Sequence, residues 1–317
     1  RPMLILLAIL VVVIPFLVFY ISKAKKEHPK GLIAAALSNM GERFGYYIMN
    51  AVLLLFLVSK FGLSDTTAGL IYSVFYCGIY VLSLVGGYIA DKTQNYNRTI
   101  QWGLIIMALG YVALAIPLFS KDANNVILDN GGEWWGILTF TCLALLCIAF
   151  GNGLFKGNLQ VLVGNLYDDP KYSAKRDEGF SIFYMAINLG SMFAAAVALS
   201  IMAWAQDSLG ISKGDSYHYA FAVACASLIL SIAIYYAFRK TFAHADRAKI
   251  ATPGAEVVEE ELTPAQTKER IICLCLVFAV VIFFWMAFHQ NGITMNQFAR
   301  EYTATSETGF MSLFLSK

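Results

Sequence analysis

The chain has 317 residues, of which 58% are hydrophobic and only 14% are charged. Soluble domains carry about 25% charged residues, because water must solvate their surfaces. This composition excludes a water-soluble enzyme, a disordered chain and a nucleic-acid-binding protein. The formal net charge of +2 is too small to indicate a polyanionic partner.

Eight apolar stretches are long enough to cross a bilayer, for which a helix needs about 20 mostly apolar residues. Lipid offers no hydrogen bonds to an exposed backbone, so each stretch is predicted to be an α-helix. The sequence therefore predicts an all-α membrane protein with many spans. The predicted spans cover residues 2–22, 31–59, 66–90, 99–119, 134–166, 180–205, 217–238 and 271–299.

Lysine and arginine residues concentrate in alternate loops, and cytoplasmic loops are the ones that carry this excess. The first span is predicted to be an extra helix, since its apolar run is long and no small-residue cleavage site follows it. A long polar segment divides the spans and is predicted to be a cytoplasmic linker. The predicted organisation is an extra helix with a basic tail at 1–27, a six-helix bundle at 28–240, a linker at 241–268 and the first helix of a second bundle at 269–317.

The span 31–59 contains Glu42, Arg43, Tyr46 and Tyr47. An ionised side chain at mid-bilayer costs about 2.5–3.5 kcal/mol on insertion scales, so it is a functional candidate by default. Positions 43, 46 and 47 are spaced i, i+3 and i+4, which predicts one cationic, hydroxyl-lined helix face. The alternative is a Glu42–Arg43 pair that only fixes helix packing.

Polar residues also interrupt three later spans. Lys156 follows Gly151 and Gly153, which are small enough to let another helix approach, and it adds a second cation. Snorkelling to the interface is the alternative for this lysine. Asn188 offers donors and an acceptor for a ligand or for a neighbouring helix. His289 either titrates near neutral pH or is a satisfied, neutral histidine.

Two buried cations suit a ligand that brings its own carboxylate, and the planar guanidinium of arginine binds a carboxylate through two hydrogen bonds. The sequence contains no His-Glu-x-x-His run and no arrangement typical of a serine hydrolase. We therefore expect no enzyme activity, no cofactor and no metal.

Three motifs carry a resemblance to a known family. The run Glu42-Arg43-Phe44-Gly45-Tyr46-Tyr47 resembles the first-helix motif of the proton-dependent oligopeptide transporters (POT), a branch of the major facilitator superfamily. The stretch 180–192 resembles the fifth-helix signature of that family. The run from Gly87 to Asp91 resembles the superfamily's loop motif between the second and third helices. The resemblance covers about residues 28–310.

The resemblance implies an N-terminal six-helix bundle of the major facilitator superfamily, preceded by an extra helix and followed by the first helix of the C-terminal bundle. It implies proton-coupled symport of di- and tripeptides across the cytoplasmic (inner) membrane, by alternating access between two bundles. The implied partners are the peptide, the proton and membrane lipid, with no nucleic acid. Arg43 and Lys156 would hold the peptide carboxylate, Asn188 its backbone or amino end, Tyr46, Tyr47 and Tyr80 would line the site, and Glu42 would couple protons.

The sequence departs from the family pattern at several points. Asn39 stands where the first-helix motif usually begins with an acidic residue. His289 lies near Trp285, where the seventh helix usually carries a glutamate, so we expect His289 to take over a proton-carrying role. The linker is too short and polar to hold the two additional helices of many bacterial relatives. The chain also stops after the seventh family helix, so we expect a fragment that lacks the C-terminal bundle and transports nothing alone.

Two alternatives remain open at this point. A transporter of nitrate or another small anion would use two buried cations equally well, although the paired tyrosines and Asn188 favour a peptide. A membrane-embedded binding or accessory subunit without transport is an alternative of a different class. Competition between dipeptides and nitrate separates the first two, and proton-coupled flux separates both from the third.

Overall fold

The computed structural model describes residue 22 and residues 26–117, 132–246 and 263–289. Seven helices of this part are long and apolar enough to cross a membrane. They coincide with the last seven predicted spans, whereas the predicted span 2–22 lies almost entirely outside the described residues. The helices are α1 (Lys30–Phe61), α2 (Asp65–Thr93), α3 (Tyr96–Ala115), α4 (Gly132–Asn165), α5 (Arg176–Leu209), α6 (Lys213–Phe238) and α7 (Pro264–His289).

Several helix ends differ from the predicted ones, and two of the differences have a clear local cause. Helix α3 ends at Ala115 rather than near 119, and Ile116 is extended with a ψ of 120°. Ile116 precedes Pro117, and a residue before proline is disfavoured in the α region. Helix α7 begins at Pro264, inside the segment predicted as linker. Proline suits the first helical position, where its missing N–H is not needed.

The turns between helices carry the expected capping chemistry. The side chains of Ser64 and Ser212 accept backbone N–H bonds at the starts of α2 and α6. Gly62 and Gly210 end α1 and α5 in the left-handed region, with φ of 63° and 65°. These capping residues set where each long helix ends and where the next one begins.

Helices α1 to α6 belong to one compact unit and α7 to another. In the first unit α1 packs along α5 and α6, while α4 packs along α2 and α3. The central stretch of α1 is therefore buried, and its polar residues face other helices rather than lipid. This placement is what allows a charged group to persist at membrane depth.

Glycines bring the backbone of α4 directly against its two neighbours. A Cβ atom added to Gly153 would lie 2.5 Å from the carbonyl oxygen of Leu82 on α2, and one added to Gly151 would lie 2.6 Å from that of Gly103 on α3. The predicted close approach at these two positions is present. Gly157, one turn further along, has no atom within 4 Å of its added Cβ.

Residues 239–246 form a short strap across the ends of several helices. The Asp246 carboxylate accepts hydrogen bonds from the backbone N–H groups of Tyr96 (2.9 Å) and Asn97 (3.3 Å) at the start of α3. The Phe242 ring stacks on Tyr235 with centroids 5.0 Å apart. The strap therefore ties the chain that leaves α6 to the first turn of α3.

Candidate functional site

A buried ion pair forms the centre of the candidate site. Glu42 and Arg43 on α1 are 1% and 5% exposed. Arg43 Nε donates to Glu42 Oε2 at 2.5 Å, and Arg43 Nη2 donates to Oε1 at 3.1 Å. Two parallel bonds of this kind are the strong, geometrically specific form of an arginine–carboxylate contact. The charge on Arg43 is therefore already compensated within its own helix.

The predicted aromatic face of α1 lies beside this pair. The Arg43 guanidinium carbon is 5.0 Å from the centroid of the Tyr46 ring, and the Tyr46 and Tyr47 rings meet edge to face at 5.4 Å. Tyr46 is buried and Tyr47 is partly buried. The structure thus brings Arg43, Tyr46 and Tyr47 together as the i, i+3, i+4 spacing predicted.

Asn152 on α4 completes the coordination of Glu42, and sequence reasoning missed it. Its Nδ2 donates to Glu42 Oε1 at 2.8 Å, and the residue is fully buried. Asn152 lies four residues before Lys156, so the two side chains share one face of α4. That spacing was the available signal, but glycines on both sides of Asn152 made the run look like a packing motif.

Lys156 contacts an aromatic ring, whereas Arg43 contacts a carboxylate. Its Nζ lies 5.1 Å from the centroid of the Tyr80 ring. Among the residues that the structure describes, no carboxylate lies within 4 Å of this ammonium group. A ring face attracts a cation by about 0.5–2 kcal/mol, which is less than a paired anion would supply. The ammonium group is therefore suited to receive an incoming anion.

Tyr80 is the last of three tyrosines at i, i+4 and i+8 along α2. The Tyr72 and Tyr76 rings are stacked at 6.0 Å, and the Tyr76 and Tyr80 rings are 5.6 Å apart. The Tyr72 hydroxyl donates to Asn50 Oδ1 at 2.5 Å. Tyr72 and Tyr76 were not predicted as site residues, although their helical spacing from Tyr80 was visible in the sequence.

The structure does not bring Asn188 into contact with the two cations. Its side chain is exposed, and its Nδ2 donates to the carbonyl oxygen of Tyr184 in the same helix at 3.2 Å. Gly190 holds α5 against α1, since an added Cβ would lie 2.6 Å from the Met40 carbonyl oxygen. Asn188 is thus only two residues from a tight helix crossing, and its exposed amide remains open to a ligand.

The two residues of the predicted loop motif have separate surroundings. Asp91 accepts a hydrogen bond from the Tyr96 hydroxyl at 2.5 Å, across the turn between α2 and α3. Gly87 has no atom within 4 Å of an added Cβ, whereas Gly86 would meet the Gly153 carbonyl oxygen at 2.2 Å. The close helix approach therefore lies at Gly86 rather than at Gly87.

Two further predicted features can be placed only in part. Asn39 is buried one turn before Arg43, and its Nδ2 has no hydrogen-bond partner among the described residues. His289 is the last residue of α7. Its side chain lies outside the described part of the chain.

A second buried ion pair joins the ends of α1 and α6. Lys60, which is 1% exposed, pairs with Asp215, and the neighbouring His218 donates from Nδ1 to the Leu114 carbonyl oxygen at 2.7 Å. Sequence reasoning placed Lys60 in a loop and did not foresee the pair, because Asp215 lies 155 residues away. The pair links helices rather than lining the tyrosine-rich site.

The membrane-length helices of the described residues and the polar cluster buried among α1 and α4 define an integral membrane protein with an all-α fold. The family model described as the POT family matches residues 97–259. Since this match covers half of the chain, the chain belongs to the POT family.

Relatives and solved structures of the same family agree with this assignment. The chain is 28% identical to dipeptide and tripeptide permease B of Aliivibrio fischeri, over 82% of this chain and 45% of the permease. It is 29% identical to a di-/tripeptide transporter of Lactococcus lactis, over 83% of this chain and 46% of that protein. The chain therefore spans about half the length of the curated relatives it matches.

Crystal structures extend the agreement to the backbone. Peptide transporter POT in complex with sulfate superposes with a TM-score of 0.55 at 29% identity, over 84% of this chain and 47% of that chain. A mutant of the same transporter in complex with alafosfalin gives a TM-score of 0.54 at 30% identity, over 82% and 47%. The chain thus shares the all-α fold of these peptide transporters over about half of their length.

Proposed function

We propose that the protein carrying this chain imports di- and tripeptides by proton-coupled symport, using alternating access between two helix bundles. It is a transporter rather than an enzyme. The observation that carries the proposal is the pairing of Arg43 with Glu42, next to a lysine that contacts a tyrosine ring instead of a carboxylate. Such a site lacks one negative charge, and a peptide carboxylate supplies it.

Lys156 is the first attachment point for the peptide carboxylate. Two unit charges 4 Å apart attract each other by about 4 kcal/mol at an effective dielectric constant of 20. The ammonium group contacts the Tyr80 ring, and Lys156 is partly buried. Tyr46, Tyr47 and Tyr80 form the walls of the site, where their hydroxyls bond the peptide backbone without adding charge. Asn188 takes the backbone or the amino end.

Glu42 couples this binding to the proton. When the carboxylate takes up a proton it loses its charge, and the bidentate bond to Arg43 loses most of its strength. The guanidinium is then able to bind the peptide carboxylate beside Lys156. Proton and peptide therefore favour the same state of the site, which is the thermodynamic requirement for symport.

His289, the last residue of α7, is proposed to carry a proton. It lies near Trp285, where the family pattern has a glutamate. Histidine titrates near neutral pH, so it suits such a role. Wild-type proton-driven uptake by a His289→Gln variant would contradict this assignment and would leave the role of Glu42 untouched.

Transport of nitrate or another small anion is the second candidate function, since the same cations would bind it. The tyrosine series on α2 favours the peptide, because a small anion leaves three aromatic rings without a ligand to contact. A non-transporting accessory subunit would bind peptide and show no flux.

Uptake into proteoliposomes under an imposed pH gradient tests the proposal with the protein that carries this chain. We expect dipeptide accumulation that unlabelled dipeptide abolishes and nitrate does not. Arg43→Ala should abolish uptake, while Lys213→Ala, which removes an exposed lysine on α6, should leave it unchanged. Competition by nitrate would support the anion transporter, and peptide binding without flux would support the accessory subunit.

A further inference from the structure

The carboxylate of Glu42 has hydrogen-bond donors from two helices. Arg43 on α1 contributes two N–H groups, and Asn152 on α4 contributes Nδ2 to Oε1 at 2.8 Å. Oε1 therefore accepts from both helices, and Oε2 accepts from Arg43 alone. All three contacts are donors, which is the arrangement that suits an ionised carboxylate.

Asn152 differs from Arg43 because an amide can both donate and accept. Its Oδ1 is buried and has no hydrogen-bond partner among the described residues. A guanidinium has donors only, so it can satisfy the carboxylate anion but offers nothing to a carboxylic O–H group. The one acceptor beside Nδ2 on the same planar amide is thus unused while Glu42 is ionised.

We propose that Glu42 exchanges hydrogen-bond partners when it takes up a proton. The ionised carboxylate pairs with Arg43, and the protonated carboxyl group pairs with the Asn152 amide. This inference rests on the proposed role of Glu42 in proton coupling. The proton binds Oε2, and the hydrogen bond that Arg43 Nε donated to Oε2 is lost. The new O–H donates to Asn152 Oδ1, while Nδ2 continues to donate to Oε1. The acid and the amide are then joined by two bonds, as the carboxylate and the guanidinium were before.

Each helix packed near Glu42 contributes a charged group or a titratable hydroxyl or thiol group close to this exchange. Lys156 on α4 is close enough to interact electrostatically with Glu42, as is Tyr111 on α3. Tyr111 is fully buried, and its hydroxyl has no partner among the described residues. The remaining groups are Tyr47 beside Glu42 on α1, Tyr184 near Tyr47 on α5, Tyr80 below Lys156 on α2 and Cys225 near Tyr111 on α6.

Through this exchange, protonation of Glu42 changes a contact between α1 and α4 as well as the charge of the site. Asn152 lies between Gly151 and Gly153, where the backbone of α4 touches α3 and α2. The backbone that carries Asn152 is therefore held in place by packing, so the exchange requires the Glu42 carboxyl to reorient. Release of Arg43 then leaves no buried O–H group without an acceptor, a state that is costly in the interior of a protein.

Infrared difference spectroscopy of the full protein in nanodiscs tests the exchange directly. The spectrum of the wild type minus that of Glu42→Gln isolates the carbonyl stretch of protonated Glu42 as the pH is lowered. We expect this band at the low wavenumber of a doubly hydrogen-bonded acid. In Asn152→Leu, which removes donor and acceptor at similar volume, the band should move to higher wavenumber.

Asn158→Leu is the matched control. Asn158 is also buried on α4, but its Nδ2 donates to the backbone carbonyls of Gly86 (3.0 Å) and Leu154 (2.8 Å). This variant loses a comparable buried amide and should leave the Glu42 band in place. An unchanged band in Asn152→Leu, or an equal shift in both variants, would overturn the exchange.

A second measurement, in which Asn152 is not mutated, tests the exchange even if Asn152→Leu does not fold. In protein whose asparagines carry ¹³C at the side-chain carbonyl, one amide band should shift as Glu42 is protonated. This pH-dependent shift should be absent in Glu42→Gln. A Glu42 band that titrates without any such amide shift would contradict the exchange. No titrating Glu42 band at all would instead refute the proton-coupling role given above.

Discussion

At the level of single residues, four charged side chains inside the described helices, three buried and Lys156 partly buried, are held in three different ways. Glu42 and Arg43 satisfy each other within one helix, Lys60 pairs with Asp215 on another helix, and Lys156 lies over an aromatic ring. A buried charge without a partner is costly, so the one that lacks a carboxylate among the described residues is the functional candidate.

Replacement of Lys156 should weaken peptide binding without unfolding the bundle. In Lys156→Met the cation is removed while the stem that packs near Tyr80 is retained, so we expect dipeptide affinity to fall by about 10- to 100-fold, which is about 1.4–2.7 kcal/mol. Calorimetric titration of the purified protein measures the affinity. Lys213→Met is the control on an exposed site, and equal losses in the two variants would contradict the assignment.

The Lys60–Asp215 pair should contribute to stability rather than to transport. Loss of one partner leaves a buried charge uncompensated and typically costs about 3–5 kcal/mol. Asp215→Leu should therefore lower the Tm in detergent more than Lys60→Met does, since Lys60 is the more buried partner. The double variant should recover most of the loss, and additive losses would show that the two residues act independently.

Two of the contacts that sequence reasoning missed join residues that are far apart in the chain. Asn152 and Glu42 are 110 residues apart, and Lys60 and Asp215 are 155 apart. Spacing within one helix predicted the Arg43–Tyr46–Tyr47 face correctly, because helical geometry alone fixes it. Which asparagine or aspartate would meet a given charge depends on how the helices pack, and no local pattern carries that information.

At the level of helices, the fit of α4 between α2 and α3 depends on glycine. The same helix also shows where glycine is not needed, since Gly157 has open space where Gly153 meets the Leu82 backbone. Hydropathy located all seven described helices. It did not locate their ends, where Pro117 stops α3 early and the Thr263 and Gln266 side chains cap the start of α7.

An alanine at Gly153 should disrupt the bundle, whereas one at Gly157 should not. The added methyl group at Gly153 would lie 2.5 Å from a backbone carbonyl oxygen, so α2 and α4 must separate. We expect a loss of about 1–3 kcal/mol, seen as a lower Tm. Gly157→Ala is the control, and it should be neutral or more stable by about 0.5–1 kcal/mol because alanine favours the helix. A Gly153→Ala variant as stable as Gly157→Ala would contradict the backbone contact.

At the level of the whole molecule, the described bundle is joined by contacts at its ends as well as through its middle. The strap at 239–246 caps α3 with Asp246, and Asn165 on α4 donates to the Ala245 carbonyl oxygen at 3.0 Å. The family was predictable from motifs. The strap was not, because the sequence there reads only as the start of a polar linker.

Removal of the Asp246 carboxylate should loosen this end of the bundle. Asp246→Ala leaves two backbone N–H groups of α3 without their acceptor, so we expect a loss of about 0.5–2 kcal/mol, as for other helix caps. Chemical or thermal unfolding in detergent measures the change. Asp168→Ala is the control, since Asp168 is exposed in the turn that follows α4; equal effects would refute the capping role.

The glycine contacts of α4 also bear on how a survey of every single substitution in this chain should be interpreted. Its least tolerant positions would include Gly86, Gly103, Gly151 and Gly153, where an added side chain would meet the backbone of a neighbouring helix. None of these residues has a side chain that could bind a solute. A growth assay alone would score them together with Arg43 and Lys156, so protein abundance must be measured in the same cells before any position is assigned to the binding site.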